Sequence, residues 1–358
     1  MRLPSHDIPL VCIKCETLLE TKTDRLSCPS CQARYPVQGY IPIFVEDQPY
    51  WGEIPEEKMT EVLDKTPEWG WERALTAGLE GLGPEQFDYL TNPVRARWKH
   101  YFPLPKNGRI LDIGSELGAV SFGLAQSGHT VVAADPVWMR IKFLQLRAQQ
   151  EGITNIVPVC AGTFDIPFPD GYFDGIVLNH VLEWVALARP NLPPEVVQQD
   201  VLKNLVRKLK PGGYLHLVVE NRWGPLLFNG LWDPHSGLRY TSFLPRRLAN
   251  AYSRYKRGED YRTYLYSRKG YGRLLRRAGC DRLHYYGLLP NSRTYFYDLP
   301  LDKPGILKFF LNTAFDPKHP GASWLARWIS RILPIHWFFG GLVADFSIFA
   351  RRADDHRS

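Results

Sequence analysis

Four cysteines stand as two close pairs, Cys12-x-x-Cys15 and Cys28-x-x-Cys31. Thiolates at that spacing converge on one tetrahedral ion, and four of them leave no coordination position open for water or substrate. The expected metal is zinc in a structural role, because a segment this short cannot fold on apolar burial alone. A second constellation runs Asp112-Ile113-Gly114-Ser115-Glu116-Leu117-Gly118, with Asp135-Pro136 placed so that Asp135 lies 23 residues after Asp112. A glycine-rich turn lets backbone approach a ligand closely, and an acidic residue about 20 positions on suits two ribose hydroxyls. Such a combination serves dinucleotides and S-adenosylmethionine alike. A third set follows two later apolar runs: His180 and Glu183, then Glu220-Asn221-Arg222, then Asp233 and His235. His180 has the chemistry of a general base, with core packing as the plainer alternative. Arg222 has the fork to clamp a phosphate or carboxylate, and Asn221, Asp233 and His235 are the other candidates to touch substrate.

The elements that must position these residues are legible from periodicity. Around the cysteines, Leu18–Glu20 and Arg25–Ser27 read as a hairpin turning near Lys22-Thr23-Asp24. From Arg109 onward, apolar runs alternate with helical stretches. Strands are expected at Arg109–Gly114, His129–Ala134, Ile156–Cys160, Phe173–Leu178 and Tyr214–Val219, with helices at Ala119–Gln126, Val137–Gln150 and Pro194–Leu209. The alternation predicts a parallel sheet covered on both faces, whose ligand crevice lies at the carboxyl ends of the strands. A further strand is expected at Arg282–Leu289, and a last one at Val343–Arg351 pairing antiparallel at the sheet edge. Between these two, residues 290–340 read as an insertion rich in Phe309, Phe310, Trp324, Trp328, Trp337, Phe338 and Phe339, with Arg327 and Arg331 on one helical face. Before the sheet, residues 48–100 read as a linker with short helices, in which Trp51, Trp69, Trp71 and Trp98 act as packing anchors.

The chain has 358 residues, 44% hydrophobic and 23% charged, and a formal net charge of +7. This excludes low-complexity disorder and a small disulfide scaffold. The positive excess is local: residues 246–277 hold 11 Lys/Arg against 2 Asp/Glu, interleaved with six tyrosines. Basic side chains among stackable rings suit nucleic acid or a phosphorylated small molecule, and a solvated helical face is the bland alternative. The N-terminus lacks the apolar core of a signal peptide, and the apolar run 332–344 is shorter than the roughly 20 residues of a spanning helix. Reduced cysteines and a cytoplasmic location are expected, with peripheral membrane contact through 305–340 left open.

Three resemblances sharpen this. The stretch Val11–Val45, with Cys-Pro-Ser-Cys, Tyr35-Pro36-Val37 and Ile41-Pro42-Ile43, is similar to the small zinc-ribbon proteins that activate tRNA and translation-factor methyltransferases. Residues 161–185, and Leu209-Lys-Pro-Gly-Gly-Tyr-Leu-His-Leu-Val-Val, resemble class I S-adenosylmethionine-dependent methyltransferases. That likeness covers about 109–288. It implies that Asp112, Gly114 and Gly118 line the methionine end and that Asp135 binds the ribose, with Pro136 beside the adenine. Thr163 and Phe164 would border the adenine, and Asn179 would sit near the sulfonium. Two positions depart from the pattern: Glu116 stands where a middle glycine is expected, and Gly162 replaces an aspartate at the adenine edge. More loosely, the order Glu-Asn-Arg-Trp-Gly, Asp-Pro-His-Ser-Gly, Ser-Arg-Lys-Gly-Tyr looks like methyltransferases of polysaccharide and cell-surface glycan synthesis.

The resulting expectation is an α/β chain with a Rossmann-like, seven-stranded methyltransferase sheet preceded by a small zinc-ribbon β domain. Its boundaries are 1–47 for the ribbon, 48–100 for the linker and short helices, and 101–358 for the methyltransferase domain, interrupted at about 290–340. The expected reaction is methyl transfer from S-adenosylmethionine to a glycan-type or phosphorylated small molecule. The alternatives are an RNA methyltransferase using the ribbon and residues 246–277, the ribbon-first order being shared with ribosomal-RNA guanine methyltransferases, and a non-catalytic scaffold of the same fold. Oligomeric state is not readable from the sequence.

Overall fold

A computed structural model describes residues 8–354 except 23, 47–49, 51, 82, 225–229, 231, 234, 294–296, 314–340 and 342. The chain divides into two compact units. The first comprises Met1–Leu178, Asn204–Tyr214 and Asp354–Ser358; the second comprises Asn179–Lys203 and Leu215–Ala353. The expected tryptophans Trp51, Trp324, Trp328 and Trp337, with Phe338, Phe339, Arg327 and Arg331, lie outside the described residues.

The first unit opens with a four-stranded antiparallel meander: β1 (Glu20–Thr21), β2 (Arg25–Ser27), β3 (Arg34–Gln38) and β4 (Ile41–Pro42). The β1–β2 hairpin registers Glu20 opposite Ser27, as the sequence pattern requires. Three helices follow, α1 (Glu56–Trp69), α2 (Trp71–Gly78) and α3 (Pro84–Thr91), then a 3-10 helix, Pro93–His100. They share a core of Met59, Val62, Ala74, Leu75 and Leu90 with Leu117 and Phe143. Arg147 ties these helices down from below. Its guanidinium lies 4.2 Å from the Trp71 ring and 3.9 Å from Phe122, and it donates to Thr91 O at 3.0 Å. Trp98 is buried edge-on against Phe102, whereas Trp69 stays partly exposed beneath Lys65 and Arg73.

The rest of the first unit is the alternating α/β segment: β5 (Arg109–Ile113), α4 (Ala119–Ala125), β6 (Thr130–Asp135), α5 (Trp138–Gln150), β7 (Ile156–Cys160) and β8 (Phe173–Asn179). Strand β5 pairs in parallel with β6 and β8, and β6 with β7. Their residues are almost uniformly buried, the mark of strands covered on both faces. Helix α6 (Pro194–Lys208) leads into β9 (Leu209–Glu220). This strand starts five residues before the expected Tyr214. Lys210 pairs with Asp174 at 2.6 Å, and Gly213 lies where a Cβ would come within 3.1 Å of Asp174 O. The Lys-Pro-Gly-Gly segment is therefore drawn into the strand instead of ending the helix in open loop.

In the first unit the strand order is β7-β6-β5-β8-β9; the second half of β9 opens the second unit, whose order is β9-β12-β10-β11. That unit adds α7 (Arg246–Arg257), α8 (Arg268–Arg277), β10 (Cys280–Leu289), β11 (Tyr297–Pro300), α9 (Pro304–Thr313) and β12 (Asp345–Arg352). Two expectations need correction. The last strand, β12, is not an edge: it lies between β9 and β10, pairing antiparallel with β10 from Leu288↔Asp345 to Cys280↔Arg352. The edge is β11, an eighth strand beyond the expected seven, formed inside the 290–340 segment and paired with β10. Among the described residues, no helix is long and apolar enough to cross a membrane.

Candidate functional site

The four cysteines converge as expected. Their sulfurs all lie within 4.8 Å of one another, with Cys12 Sγ 3.5 Å from Cys31 Sγ and Cys15 Sγ 3.4 Å from Cys28 Sγ. The Tyr35 hydroxyl sits 3.1 Å from Cys12 Sγ, and main-chain N–H groups of Lys14 and Cys31 donate to Cys12 and Cys28. Donors aimed at sulfur stabilise thiolate, and four thiolates so close call for a dication. This donor set fits zinc. Four thiolate ligands would leave the centre no coordination position free, as in sites that hold structure. The strands it organises sit on the α/β segment. Ile43 bridges in parallel to Cys160, and Phe44 N donates to Cys160 O at 2.8 Å. Ile41, Ile43, Ile141 and Cys160 form a shared apolar cluster, and Gln145 Nε2 donates to Gly39 O at 2.8 Å.

The turn after β5 carries the second constellation. Gly114 and Gly118 adopt φ of +72° and +95°, a region open to glycine and costly for other residues. At Gly118 a Cβ would also come within 2.9 Å of the Phe122 ring and 3.0 Å of Leu144, so only glycine lets α4 begin there. Asp112 is buried under the turn and accepts from Ser121 Oγ at 2.6 Å. Burial pushes its carboxyl up to about 6, although Ser121 and Arg95 oppose the shift. Ser115 Oγ, also buried, has no hydrogen-bond partner among the described residues. Asp135, at the end of β6, accepts from Val137 N at 2.9 Å and from Glu116 N at 3.2 Å. Arg140 in α5 reaches Asp135 Oδ2 at 3.6 Å and Glu116 Oε1 at 3.9 Å. Arg140 was not singled out in the sequence: an arginine in the first turn of a helix reads as a surface charge. The signal was Glu116, an acid brought into a buried turn and in need of a cation. Pro136 sits over Cys160, whose Sγ lies 3.5 Å from Pro136 O. Gly162 is roomy, with its virtual Cβ 4.0 Å from Pro136 Cβ, and Thr163 is buried close by in sequence. Asp112, Gly114, Gly118, Asp135, Pro136, Thr163 and Phe164 all belong to the first unit. Glycine cradles, an orphaned hydroxyl and a buried ribose-type carboxylate fit an adenosine-bearing cofactor.

The third set belongs to the second unit, together with Asn179. Asn179 Oδ1 is buried without a partner among the described residues. Next to it, His180 adopts φ +55°, a strained conformation for an imidazole residue that the surroundings must enforce. Its Nδ1 lies 3.5 Å from Glu183 Oε1, while His180 Nε2 and Glu183 Oε2 are buried and unpartnered among the described residues. His235 Nδ1 lies 3.2 Å from both Glu220 Oε2 and Asp233 Oδ1. Ser236 Oγ donates to Asp233 Oδ2 at 2.8 Å. Burial alone would drive both histidines neutral. For His235, Asp233 and Glu220 more than offset it and hold the ring charged up to about 9. Glu183, with Asp345 and Glu220 behind it, likewise raises His180. Burial pushes Glu220 up to about 7, with His235 pulling the other way. The result is two histidine–carboxylate groups. Glu183 and Glu220, both among the candidates at the strand ends in the sequence, complete them.

Asn221 and Arg222 are placed differently. Asn221 is fully buried; its Nδ2 donates to Gly341 O and Val343 O, and its Oδ1 accepts from Trp223 N. Arg222 donates to the carbonyls of Ser242, Phe243 and Leu244. Both side chains serve as backbone staples. Much of the basic stretch is engaged similarly. Arg262 donates to Ala186 O, Arg189 O and Leu192 O, Arg246 to Leu265 O, Arg257 to Ser236 O and Arg268 to Leu301 O. Arg254 pairs with Asp260, and Tyr261, Tyr264 and Tyr271 are buried.

Comparison with known proteins agrees with the first unit's geometry. Residues 111–217 match the family model described as a methyltransferase domain, and that segment is a methyltransferase domain of Rossmann-like fold. The chain is 29% identical over 157 residues to the mitochondrial 2-methoxy-6-polyprenyl-1,4-benzoquinol methylase of Leishmania donovani, spanning 38% of this chain and 51% of that protein. It is 26% identical over 198 residues to the ubiquinone biosynthesis O-methyltransferase of Rickettsia felis, spanning 53% and 75%. Among solved structures, it is similar to phosphoethanolamine N-methyltransferase 2 of Haemonchus contortus in complex with S-adenosyl-L-methionine, with TM-score 0.44, 14% identity, and 82% of this chain and 60% of that one covered. The chain spans about half the length of the first of these curated relatives.

Proposed function

We propose that this protein transfers a methyl group from S-adenosylmethionine to a hydroxyl of a neutral, glycan-type small molecule. The observation that carries the reading is the turn around Asp112, Gly114 and Gly118 with Asp135 beyond it, inside a segment that matches a methyltransferase domain. In this reading the first unit binds the cofactor: Asp135 takes the ribose hydroxyls, Gly114 and Gly118 admit the methionine end, and Pro136, Thr163 and Phe164 border the adenine. When bound, S-adenosylmethionine supplies a methyl group already activated for attack. The protein then has to hold the acceptor, exclude water and take up one proton. His180 takes that role. Its Nε2 has no partner among the described residues, and Glu183 at Nδ1 stabilises the imidazolium that forms when Nε2 gains the proton. His235, with Asp233 and Glu220, acts as a charged second group able to donate to an acceptor oxygen.

The acceptor follows from charge. Three buried carboxylates, Glu183, Asp233 and Asp345, and the half-buried Glu220 belong to the second unit. They suit hydroxyl donors and repel phosphate, and Arg222 is committed to backbone carbonyls. This favours a neutral polyol over a phosphorylated acceptor. The basic stretch supports RNA binding less well than its charge suggests, because Arg246, Arg257, Arg262 and Arg268 hold main-chain carbonyls and Tyr261, Tyr264 and Tyr271 are buried, although Tyr255 is exposed. Two relatives carry names of quinone-pathway methylation; a quinol hydroxyl is the second reading, resting on those names. In both readings four thiolates hold a zinc ion that braces the ribbon. Methyl tracing separates the readings. Purified protein, labelled S-adenosylmethionine and a cell extract are incubated, and label is partitioned among RNA, lipid-soluble quinones and water-soluble glycans. Label in the glycan pool is expected; label in quinones replaces the acceptor, and label in RNA overturns the charge argument.

A further inference from the structure

Glu116 is a charged side chain in a turn whose other two ligand-facing positions, Gly114 and Gly118, are glycine. It sits at φ +49°, a left-handed conformation that costs a non-glycine residue. Two features of the structure account for its presence. Its main-chain N–H donates to Asp135 Oδ2 at 3.2 Å. Its carboxylate meets Arg140, whose guanidinium also reaches that same Asp135 oxygen. The Arg140 side chain is 7% exposed and the Asp135 side chain 1%. Arg140 is thus a buried cation between two carboxylates, one contributed by the turn after β5 and one by the end of β6. It also lines a small cavity of about 10 Å³ with Tyr50, Gly52, Met59, Leu90 and Leu117. Gly52 packs against Arg140: a Cβ at that position would come within 2.7 Å of Arg140 Nη2, and the guanidinium would have to shift.

We propose that Glu116 and Arg140 form one positioning unit that orients the Asp135 carboxylate for the cofactor's ribose. The proposal rests on the methyltransferase reading and assigns the pair a part in it. The physical argument is charge balance. Without Arg140, Glu116 and Asp135 would place two carboxylates against each other in a buried turn, with Asp112 beneath and only Arg95 as a nearby cation. Without Glu116, Arg140 would pair with Asp135 alone, and that ion pair would compete with ribose hydroxyls for the same oxygen. Present together, each side chain limits the other's effect on Asp135. A turn with glycine at 116 and an apolar residue at 140 would need neither. The pair is therefore expected to be mutually dependent, a signature that two independent contributions would lack.

The test is a double-mutant cycle on the full chain: Glu116→Gly, Arg140→Met and the double variant, with Arg140→Lys as a conservative control should Arg140→Met fold poorly. Affinity is measured by calorimetry for S-adenosylhomocysteine and for methylthioadenosine, which keeps the ribose and adenine but lacks the amino-acid end. Arg140→Met is expected to weaken both ligands by roughly 10- to 100-fold, as when one partner of a buried ion pair is removed. Glu116→Gly should weaken both by a few-fold, on the order of a single charged hydrogen bond. The double variant should recover most of the loss caused by Arg140→Met. Arg140→Lys, a point charge that cannot bridge both carboxylates with a fork, should fall between parent and Arg140→Met. In turnover, the Arg140 variants should raise KM for S-adenosylmethionine and leave KM for the acceptor in place. Losses that simply multiply in the double variant, or an Arg140→Met protein that binds methylthioadenosine as tightly as the parent, overturn the pair. A parent that binds neither nucleoside overturns the methyltransferase reading itself.

Discussion

Asp112 offers a test of the buried turn that does not depend on any ligand. Its carboxyl is held up to about 6 against an ordinary value of 3.8, chiefly by burial, with Ser121 and Arg95 opposing and Asp135 and Glu116 adding to the rise. A carboxyl whose folded value is raised keeps its proton longer in the folded state. Its contribution to stability is complete below pH 3.8 and is lost as pH rises through about 6. At 1.36 kcal/mol per pH unit, the whole window is worth about 3 kcal/mol, and the part between pH 4.5 and 7.5 about 2 kcal/mol. Asp112→Asn removes this titration. The amide oxygen still accepts from Ser121, and no charge has to be buried. Urea denaturation of parent and variant at the two pH values gives two stability differences. Their change is the informative quantity, because a fixed cost of the amide cancels. The variant should gain about 2 kcal/mol on the parent between pH 4.5 and 7.5. A constant difference at both values would mean that Asp112 is not ionising in a buried site, and the described packing around Ser121 would be refuted. Calorimetry on the same proteins should show weakened S-adenosylhomocysteine binding despite the gain in stability.

Three further outcomes are expected. Chelation at neutral pH, or Cys28→Ser, should release one zinc per chain by metal analysis and lower the thermal midpoint, because the four sulfurs are the ribbon's main tie. Arg222→Ala should cost roughly 2–4 kcal/mol in denaturation, since it strands carbonyls of residues 242–244; a substrate clamp would instead leave stability unchanged and raise the acceptor KM. His180→Ala should lower kcat by roughly 10²- to 10⁴-fold with S-adenosylhomocysteine affinity preserved, and equal loss of both would remove His180 from proton transfer.

Much of the first unit could be read directly. Strands covered on both faces announce themselves as unbroken apolar runs, so Ile156–Cys160 was bounded without error and its neighbours within a residue or so. Two Cys-x-x-Cys pairs announce a tetrahedral cluster because each pair brings two thiols to one point and the hairpin between them joins the pairs. The second unit was harder for a physical reason. Which strand lies beside which is decided by pairing across long loops, and β12 slots between β9 and β10 through hydrogen bonds that carry no local signature. Strand β11 has four residues, too few to show a period. Arginines misled most. Arg222, Arg246 and Arg262 look like a surface for anions in a linear count, yet their forks are occupied by main-chain carbonyls, and Arg140 of α5 is buried against the turn after β5. A formal charge counts donors; it does not say which are already spoken for.

The ribbon's seat on β7 has a consequence for the chain's behaviour toward its own copies. Strand β7 is the outermost of its unit, and an outer strand exposes a row of unpaired main-chain groups that can template addition of another chain. Here Ile43 and Phe44 occupy part of that row at Cys160, and the apolar patch of Ile41 and Ile43 covers Ile141. With zinc bound as proposed, the four-cysteine centre would also guard against strand-to-strand aggregation, held by an ion rather than by a covalent bond. Metal depletion would uncover one of the most apolar strands of the fold, and self-association, more than lost catalysis, would be its first visible sign.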